Sequence, residues 1–317
     1  MKNLLSVFVT LQLLFALTFS FAGFAMQVST GSLHHIEKFP SNYVDAKDVF
    51  VWLPDSYRHS KRYAVLYMHD GQMLFDASTT WNKQEWGVDE VAGKLINEGV
   101  VKEFIVVGTS NGDLYGKGKR MDEYFPQKPF EALSKQQRTK ILSLRRNEKT
   151  KMFAGKIESD NYLKFLVEEL KPYIENTYSV YTDPANTAVM GSSMGGLISM
   201  YAISEYPNVF GAAACLSTHW PGAFPMDNSP IPQAFFDYMQ QHLPAPENHR
   251  LYFDLGTETL DQHYPPLQKQ ADKIIRAKGY NAENWQTRIF NGAAHDENSW
   301  QERLHIPLLF LFGEKKK

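Results

Sequence analysis

Short apolar runs alternate with longer amphipathic stretches along most of the chain. Residues 63–68 form a nearly continuous apolar run, which is typical of a strand buried on both faces. Residues 88–96 instead repeat their apolar positions at helical spacing and stop near Gly99. Further strands are predicted at residues 49–53, 104–107, 188–190, 212–216, 251–255 and 288–290. Strands that alternate with helices in this way predict a parallel sheet with crossover helices.

The later helices follow the same alternation. They are predicted at residues 161–178, 194–206 and 268–277, with a last helix around Trp300 and Leu304. Pro172 should kink or end the first of them. No internal repeat or second domain boundary is visible, so residues 26–317 are predicted to form one domain. Residues 113–160 are polar and basic and read as an irregular insertion, either a lid over the site or a solvated surface segment.

The first residues have the pattern of a secretory signal peptide. Lys2 precedes an uncharged apolar run that ends at the small residues Ala22, Gly23 and Ala25. We therefore expect residues 1–25 to be removed and the protein to be periplasmic or secreted, without membrane attachment after cleavage. The run is also long enough for an uncleaved anchor, which is the alternative.

Composition narrows the function classes. The 317 residues are 43% hydrophobic with a formal net charge of −2, which gives a large core and no reason to expect a nucleic-acid partner. Cys215 is the single cysteine, so no intramolecular disulfide can form, and its apolar surroundings predict a buried side chain. We find no metal-ligand spacing, phosphate loop or dinucleotide fingerprint, and expect no metal or cofactor.

The first candidate chemistry lies between a predicted strand and a predicted helix. Gly191, Ser193 and Gly195 match G-x-S-x-G, the nucleophile elbow. In so sharp a turn we expect no room for a Cβ at either flanking position, and a serine hydroxyl that projects from the apex. Chance also produces this short motif, so its neighbours must support it.

A serine nucleophile needs a base and a group that orients the base, in the chain order serine, acid, histidine. His295 follows the last predicted strand and is the candidate base. Three carboxylates follow or end the strand at residues 251–255. Asp254 falls within the strand, so we favour Glu258 on the loop as the acid, with Asp261 as the alternative.

An oxyanion hole needs two backbone N–H groups, one after the nucleophile and one from an earlier loop. Met194 supplies the first. Gln72, which follows the flexible Gly71, is the natural second donor. His69 and Asp70 are expected to shape this loop, because the base role is already filled.

Taken together, these segments resemble the esterase D, or "putative esterase", branch of the α/β-hydrolases. That branch includes enterochelin esterases, S-formylglutathione hydrolases, mycolyltransferases and carbohydrate esterases that act on acetylated or feruloylated xylan. The resemblance covers roughly residues 35–312. The matching segments are residues 67–72 (YMHDGQ), 105–108 (IVVG), Arg120 with 123–126 (EYFP), 191–196 (GSSMGG), 217–220 (STHW) and 295–300 (HDENSW).

The resemblance implies an α/β-hydrolase fold, a mostly parallel sheet with helices on both faces. It also implies a site made of the nucleophile, acid, base and oxyanion donors, and a substrate cleft lined by four further residues. The implied site residues are Ser193, Glu258, His295, Gln72 and Met194, and the implied cleft residues are Asp70, Arg120, His219 and Trp220.

These expectations describe an exported serine carboxylesterase. Export and the 14% aromatic content favour a small-molecule or oligosaccharide ester, and above all an acylated carbohydrate, as substrate. A siderophore trilactone esterase and an acyltransferase are the alternatives within the enzyme class. A hydrolase-like binding module without catalysis is the alternative from another class.

Overall fold

The computed structural model describes residues 26–113, 118–224 and 228–314. The eight strands of these described residues form a single sheet. In chain order they are β1 Ser32–Phe39, β2 Lys47–Leu53, β3 Ala64–Met68, β4 Phe104–Thr109, β5 Thr187–Ser192, β6 Ala212–Leu216, β7 Arg250–Leu255 and β8 Trp285–Ile289.

The strand order across the sheet is β1-β2-β4-β3-β5-β6-β7-β8. β1 and β2 pair antiparallel, as do β2 and β4, whereas the six strands from β4 to β8 run parallel. The prediction of a mostly parallel sheet is therefore confirmed. Parallel strands end at one edge of the sheet, and ligands of open parallel sheets bind there.

Helices cover both faces of the sheet, and a buried apolar cluster fills each space between sheet and helices. Alternate residues of one strand enter opposite clusters, as in β3, where Val65 faces one and Leu66 the other. The helices are α1 Val88–Asn97, α2 Arg120–Tyr124, α3 Gln127–Ala132, α4 Lys135–Leu142, α5 Ser159–Lys164, α6 Lys171–Thr177, α7 Met194–Glu205, α8 Ile231–His242, α9 Pro265–Ala277, α10 Glu297–Arg303 and α11 His305–Phe312.

Two elements escaped prediction from the sequence, and one segment is more ordered than expected. β1 is an edge strand with mostly exposed side chains, so it shows no apolar run. α8 was not predicted either, although its buried residues recur at helical spacing. Residues 113–160 contain α2, α3 and α4 as well as irregular segments.

The helix predicted at residues 161–178 is built from three pieces. α5 leads into a π-helical segment, Phe165–Leu170, which is followed by α6. Pro172 is the second residue of α6, directly after the π-helical segment, and the helix continues past it to Thr177, so the helix does not end at Pro172.

The predicted signal peptide lies outside the described residues. Within the described part of the chain, none of the helices has the length and apolar character needed to cross a bilayer.

Candidate active site

Ser193 lies at the sharp turn between β5 and α7. Its backbone has φ 58° and ψ −120°, a region that non-glycine residues rarely occupy. The Ser193 N–H donates to the carbonyl of Leu216 over 2.9 Å, and the Ser193 carbonyl accepts from the His219 N–H over 3.1 Å. These two bonds tie the strained turn to the end of β6, so Ser193 is held at the carboxyl edge of the sheet.

Close backbone approach explains one of the two glycines that flank the serine. A Cβ on Gly191 would lie 2.8 Å from the carbonyl carbon of Gly195, well inside van der Waals contact. A Cβ on Gly195 would lie 3.4 Å from Asp70 Oδ2 and from His69 Cβ, which is an ordinary contact distance. The expectation that neither position has room for a Cβ therefore holds for Gly191 and is wrong for Gly195.

His295 contacts a buried carboxylate. Its Nδ1 lies 2.5 Å from Oδ1 of Asp261, whose side chain is completely buried. The other oxygen of Asp261 accepts hydrogen bonds from the Ser217 hydroxyl and the Gly256 N–H, each over 2.6 Å. These donors compensate for the burial of the charged carboxylate and fix its orientation toward the imidazole.

The prediction that Glu258 is the partner of His295 is wrong, because the structure brings Asp261 and not Glu258 into contact with the histidine. The Glu258 side chain is exposed, and its backbone N–H donates to the carbonyl of Ala293 over 3.0 Å. A 3₁₀ turn at Thr259–His263 then folds the chain back, so that Asp261 lies under His295. Position along the loop suggested Glu258, but the turn places the alternative, Asp261, in the contact.

Asp254, the third of these carboxylates, accepts hydrogen bonds from residues other than His295. It is fully buried in β7, where its Oδ1 accepts from Nη2 of Arg303 over 3.1 Å and its Oδ2 accepts from the Tyr252 hydroxyl over 3.1 Å. Arg303 also donates to the Ser217 hydroxyl over 3.0 Å. Asp254 therefore stabilises the network behind the Asp261–His295 pair and does not contact the histidine.

Tyr264 is a residue near the nucleophile that sequence reasoning missed. It is fully buried just before α9, and its phenol oxygen lies 2.6 Å from Nδ1 of His219, whose backbone N–H donates to the Ser193 carbonyl over 3.1 Å. Its ring packs edge-on against the ring of His295, with centroids 5.8 Å apart. The one available signal was its position just before Pro265 and Pro266, which marks a helix start and not a catalytic group.

No direct hydrogen bond joins Ser193 to His295, and Nε2 of His295 has no hydrogen-bond partner among the described residues. In free enzymes, catalytic hydrogen bonds are often long and tighten only when substrate binds. Since Nδ1 faces Asp261, Nε2 is the ring nitrogen left for proton transfer with the serine.

The two expected oxyanion donors lie on adjoining segments. Met194 is the first residue of α7, so its N–H has no acceptor within the helix. Gln72 lies in a 3₁₀ turn, Gly71–Met73, that follows Asp70 in the left-handed conformation. A Cβ on Gly71 would lie 2.7 Å from the carbonyl carbon of Gly108, which explains the glycine. The Gln72 and Met194 amides remain predicted donors.

Arg120 and Asp70 form a paired unit beside the elbow. The guanidinium donates through Nε and Nη2 to the two carboxylate oxygens, each over 2.7 Å, and Asn111 donates to the same carboxylate over 2.7 Å. Burial alone would raise the pKa of Asp70, but the Arg120 charge and the hydrogen bonds from Arg120 and Asn111 together outweigh it, so the net pKa is lowered. Arg120 thus pairs with Asp70, while the nearby Glu123 binds Lys47 over 2.6 Å.

His219 and Trp220 do not have the open position expected of cleft residues. His219 is 7% exposed, and both of its ring nitrogens are engaged, by the Tyr264 hydroxyl and by the Ala223 carbonyl. Trp220 is fully buried, and its Nε1–H donates to Oε1 of Gln268 over 2.9 Å. The expectation that Trp220 lines the cleft is wrong because the chain turns inward after β6.

Replacing Trp220 should therefore affect stability and not substrate binding. The ring packs against Phe236 and Phe253, so Trp220→Ala should lower the free energy of unfolding by about 3–5 kcal/mol. Trp81→Ala is the matched control, because Trp81 is 84% exposed and should change it by less than about 0.5 kcal/mol. Urea denaturation measures both. An unchanged free energy with a raised KM in Trp220→Ala would instead place Trp220 in the cleft.

Cys215 lies in β6 and is buried, as its apolar sequence neighbours predict. Burial raises the pKa of its thiol well above the ordinary value, so the sulfur stays protonated near neutral pH and is a poor nucleophile.

Comparison with known proteins adds an independent line of evidence. A family model described as "Putative esterase" matches residues 44–142 and 143–311. The chain is 23% identical over 273 residues to the uncharacterized protein YbbA of Bacillus subtilis, covering 84% of this chain and 92% of that protein.

Two solved structures have a similar fold. A ferulic acid esterase from Anaeromyces mucronatus superposes with a TM-score of 0.61 at 21% identity, covering 88% of this chain and 89% of that one. The enterobactin esterase FES of Shigella flexneri superposes with a TM-score of 0.59 at 16% identity, covering 88% of this chain and 59% of that one.

Proposed function

The chain belongs to the putative esterase family and has its α/β-hydrolase fold, and from this premise we propose that it is a serine carboxylesterase. The observation that carries the proposal is the contact between Nδ1 of His295 and the buried Asp261 carboxylate, on the same sheet edge as a strained Ser193. Nucleophile, acid and base occur in the chain order that this fold requires. The resulting triad is Ser193, His295 and Asp261.

In the acylation step, Nε2 of His295 takes the proton of the Ser193 hydroxyl as its oxygen attacks the ester carbonyl. Asp261 holds the ring in the tautomer with hydrogen on Nδ1, which leaves a lone pair on Nε2, and it stabilises the imidazolium that forms. The N–H groups of Gln72 and Met194 would bind the developing oxyanion, since Met194 begins α7 directly after Ser193 and Gln72 lies in the 3₁₀ turn that follows Asp70. His295 then protonates the leaving alkoxide.

In the deacylation step, a water molecule attacks the acyl-enzyme carbonyl and gives one proton to Nε2 of His295. The ester bond to Ser193 breaks, and the serine oxygen takes the proton back from the imidazolium. The acid product leaves, and the triad returns to its first state.

We propose an acylated carbohydrate as the substrate class. Two exposed aromatic side chains support this, because a sugar ring packs well on an exposed aromatic face: Trp81 is 84% exposed and Phe224 is 47% exposed. Trp81 belongs to the same segment as Asn82, which donates to Glu297 over 2.8 Å and so lies close to the His295 loop. Phe224 follows the His219 segment, whose backbone N–H donates to the Ser193 carbonyl over 3.1 Å. A siderophore trilactone is the competing substrate.

Export forms part of the same proposal. The pattern of residues 1–25 supports a secretory signal, and a polymeric acylated carbohydrate would be met outside the cytoplasm. Cell fractionation of the full chain, with and without residues 1–25, tests this part separately from the activity.

The substrate proposal is tested with a panel of esters and the purified mature protein. We expect acetylated or feruloylated xylo-oligosaccharides to be hydrolysed with a kcat/KM at least about tenfold above that of a catecholate trilactone. The reverse order would favour the siderophore esterase. No hydrolysis of any ester, together with no labelling by a fluorophosphonate, would favour the binding module without catalysis.

A further inference from the structure

The hydroxyl of Ser217 lies directly behind the acid of the proposed triad. Its oxygen is 2.6 Å from Oδ2 of Asp261, the carboxylate oxygen that does not face His295. Ser217 is fully buried just after β6, and its backbone has φ 42°, a left-handed conformation that non-glycine residues rarely adopt. A strained backbone that holds a hydroxyl against the acid points to a role in the site.

The neighbours of Ser217 decide the direction of its hydroxyl proton. Nε1 of Trp300 and Nη2 of Arg303 each lie 3.0 Å from the Ser217 oxygen. An indole N–H and a guanidinium can only donate hydrogen bonds, so they occupy the two lone pairs of this oxygen. The single O–H of Ser217 is therefore left for the Asp261 carboxylate, which can only accept. With all three hydrogen bonds made, the hydroxyl has one orientation.

A buried ion pair keeps the guanidinium in this place. Arg303 is 3% exposed, and the Nη2 that faces Ser217 also lies 3.1 Å from Oδ1 of the fully buried Asp254. Nη1 of Arg303 donates to the Ser299 carbonyl over 3.1 Å. Because the charges of Arg303 and Asp254 compensate each other, Arg303 can donate to Ser217 without being an unpaired buried charge.

The Ser217 hydrogen bond acts on His295 through Asp261. A donor at Oδ2 draws negative charge of the carboxylate away from Oδ1, the oxygen that faces the imidazole. Without this donor, more of the charge would face the imidazole and stabilise its protonated form, which cannot act as a base. The Trp300 ring also packs edge-on against the His295 ring, with centroids 5.1 Å apart. The residues that orient Ser217 therefore also border the base.

We propose that Ser217 is a positioning residue: its hydrogen bond to Asp261 keeps His295 active as a base down to a lower pH. Arg303 and Trp300 act through Ser217, because they fix the direction of its O–H. This inference rests on the proposed serine esterase function, in which His295 must be unprotonated to take the proton of the nucleophile.

Other titratable groups surround His295, but a change at Ser217 leaves them in place. The ring of His219 is neutral near neutral pH, because burial lowers its pKa to about 3. The remaining groups are the Tyr264 phenol, whose ring packs against the imidazole, and the carboxyl groups of Asp296 and Glu297, which follow His295 in the chain. A difference in pH dependence between wild type and a Ser217 variant therefore reports the Ser217 bond.

The test measures kcat/KM for p-nitrophenyl acetate against pH in Ser217→Ala. Alanine keeps the Cβ, so this change removes the hydroxyl and leaves the backbone constraint as it is. We expect the acid limb of the profile to move to higher pH by about one unit, the scale of one hydrogen bond to a charged group. Fluorophosphonate labelling, which reports the first step alone, should show the same displacement. The midpoint of the limb does not depend on how much protein is folded.

Ser204→Ala is the matched control. Ser204 is buried in α7, about 15 Å along the helix from Met194, and its hydroxyl donates to the Met200 carbonyl over 2.9 Å. Its loss should leave the pH profile unchanged. If Ser217→Ala does not fold, Trp300→Phe serves instead, because it keeps an aromatic ring beside His295 and removes one donor to Ser217. Its acid limb should move in the same direction by a smaller amount.

An acid limb that stays in place in the folded variant overturns the inference, as does an equal displacement in Ser204→Ala. A wild-type protein that neither hydrolyses esters nor is labelled overturns the proposed function itself.

Discussion

Ser193→Ala should abolish ester hydrolysis, with kcat falling by at least about 10⁴-fold, because removal of a triad nucleophile leaves only the contributions of binding and the oxyanion donors. The same change should remove all covalent labelling by a fluorophosphonate. Both follow from the position of the serine at the strained turn after β5. Steady-state hydrolysis of p-nitrophenyl acetate and gel-based labelling measure the two effects.

Ser192→Ala is the matched control for this change. Ser192 is the neighbouring serine, the last residue of β5, and is almost fully buried. The Ser192→Ala protein should keep its fluorophosphonate labelling and most of its esterase activity. If Ser192→Ala lost the label and Ser193→Ala kept it, the nucleophile would be misassigned. If neither changed the label, the reactive group would lie outside the elbow.

Asp261→Asn should lower kcat by about 10³–10⁴-fold, the second of the two largest effects. An amide in place of the carboxylate no longer holds the histidine in the tautomer that leaves a lone pair on Nε2, and no longer stabilises the imidazolium. Glu258→Gln should change kcat by less than about threefold, because this exposed side chain does not contact His295. Each of these two variants replaces one carboxylate of the same loop by an amide, so each controls for the other.

Circular dichroism and urea denaturation should accompany these kinetics, because Asp261 also accepts from Ser217 and from the Gly256 N–H. A folded Asp261→Asn protein with nearly full activity would contradict the assignment. Strong loss of activity in Glu258→Gln alone would return the acid role to Glu258.

Much of the fold could be predicted because its signals are local. Continuous apolar runs mark strands buried on both faces, and β6 was predicted with its observed limits. The starts of α1 and α7 follow from helical spacing and from the elbow glycine pattern. β1 could not be predicted in this way, because an exposed edge strand buries too few side chains to leave an apolar run.

The candidate site was predictable where the chain carries the chemistry in one short segment. Ser193 lies in a motif in which Gly191 has no room for a side chain, because a Cβ there would lie 2.8 Å from the carbonyl carbon of Gly195. The glycine in the sequence therefore indicates the sharp turn. His295 could be found from the order of strands and loops alone. Trp220 was misplaced because a position just after a strand does not say whether the next side chain faces solvent or core.

The sequence by itself predicted the parallel sheet and the elbow, because both leave patterns over a few neighbouring residues, and the proposed order of nucleophile, acid and base followed from the order of strands and loops. Only the tertiary structure decided which of three nearby carboxylates faces the histidine. That choice depends on the carbonyl of Ala293, which accepts from the Thr257 and Glu258 N–H groups and joins the loops after β7 and β8. Tyr264 came from the structure for the same reason: contacts between distant loops leave no periodic pattern in the chain.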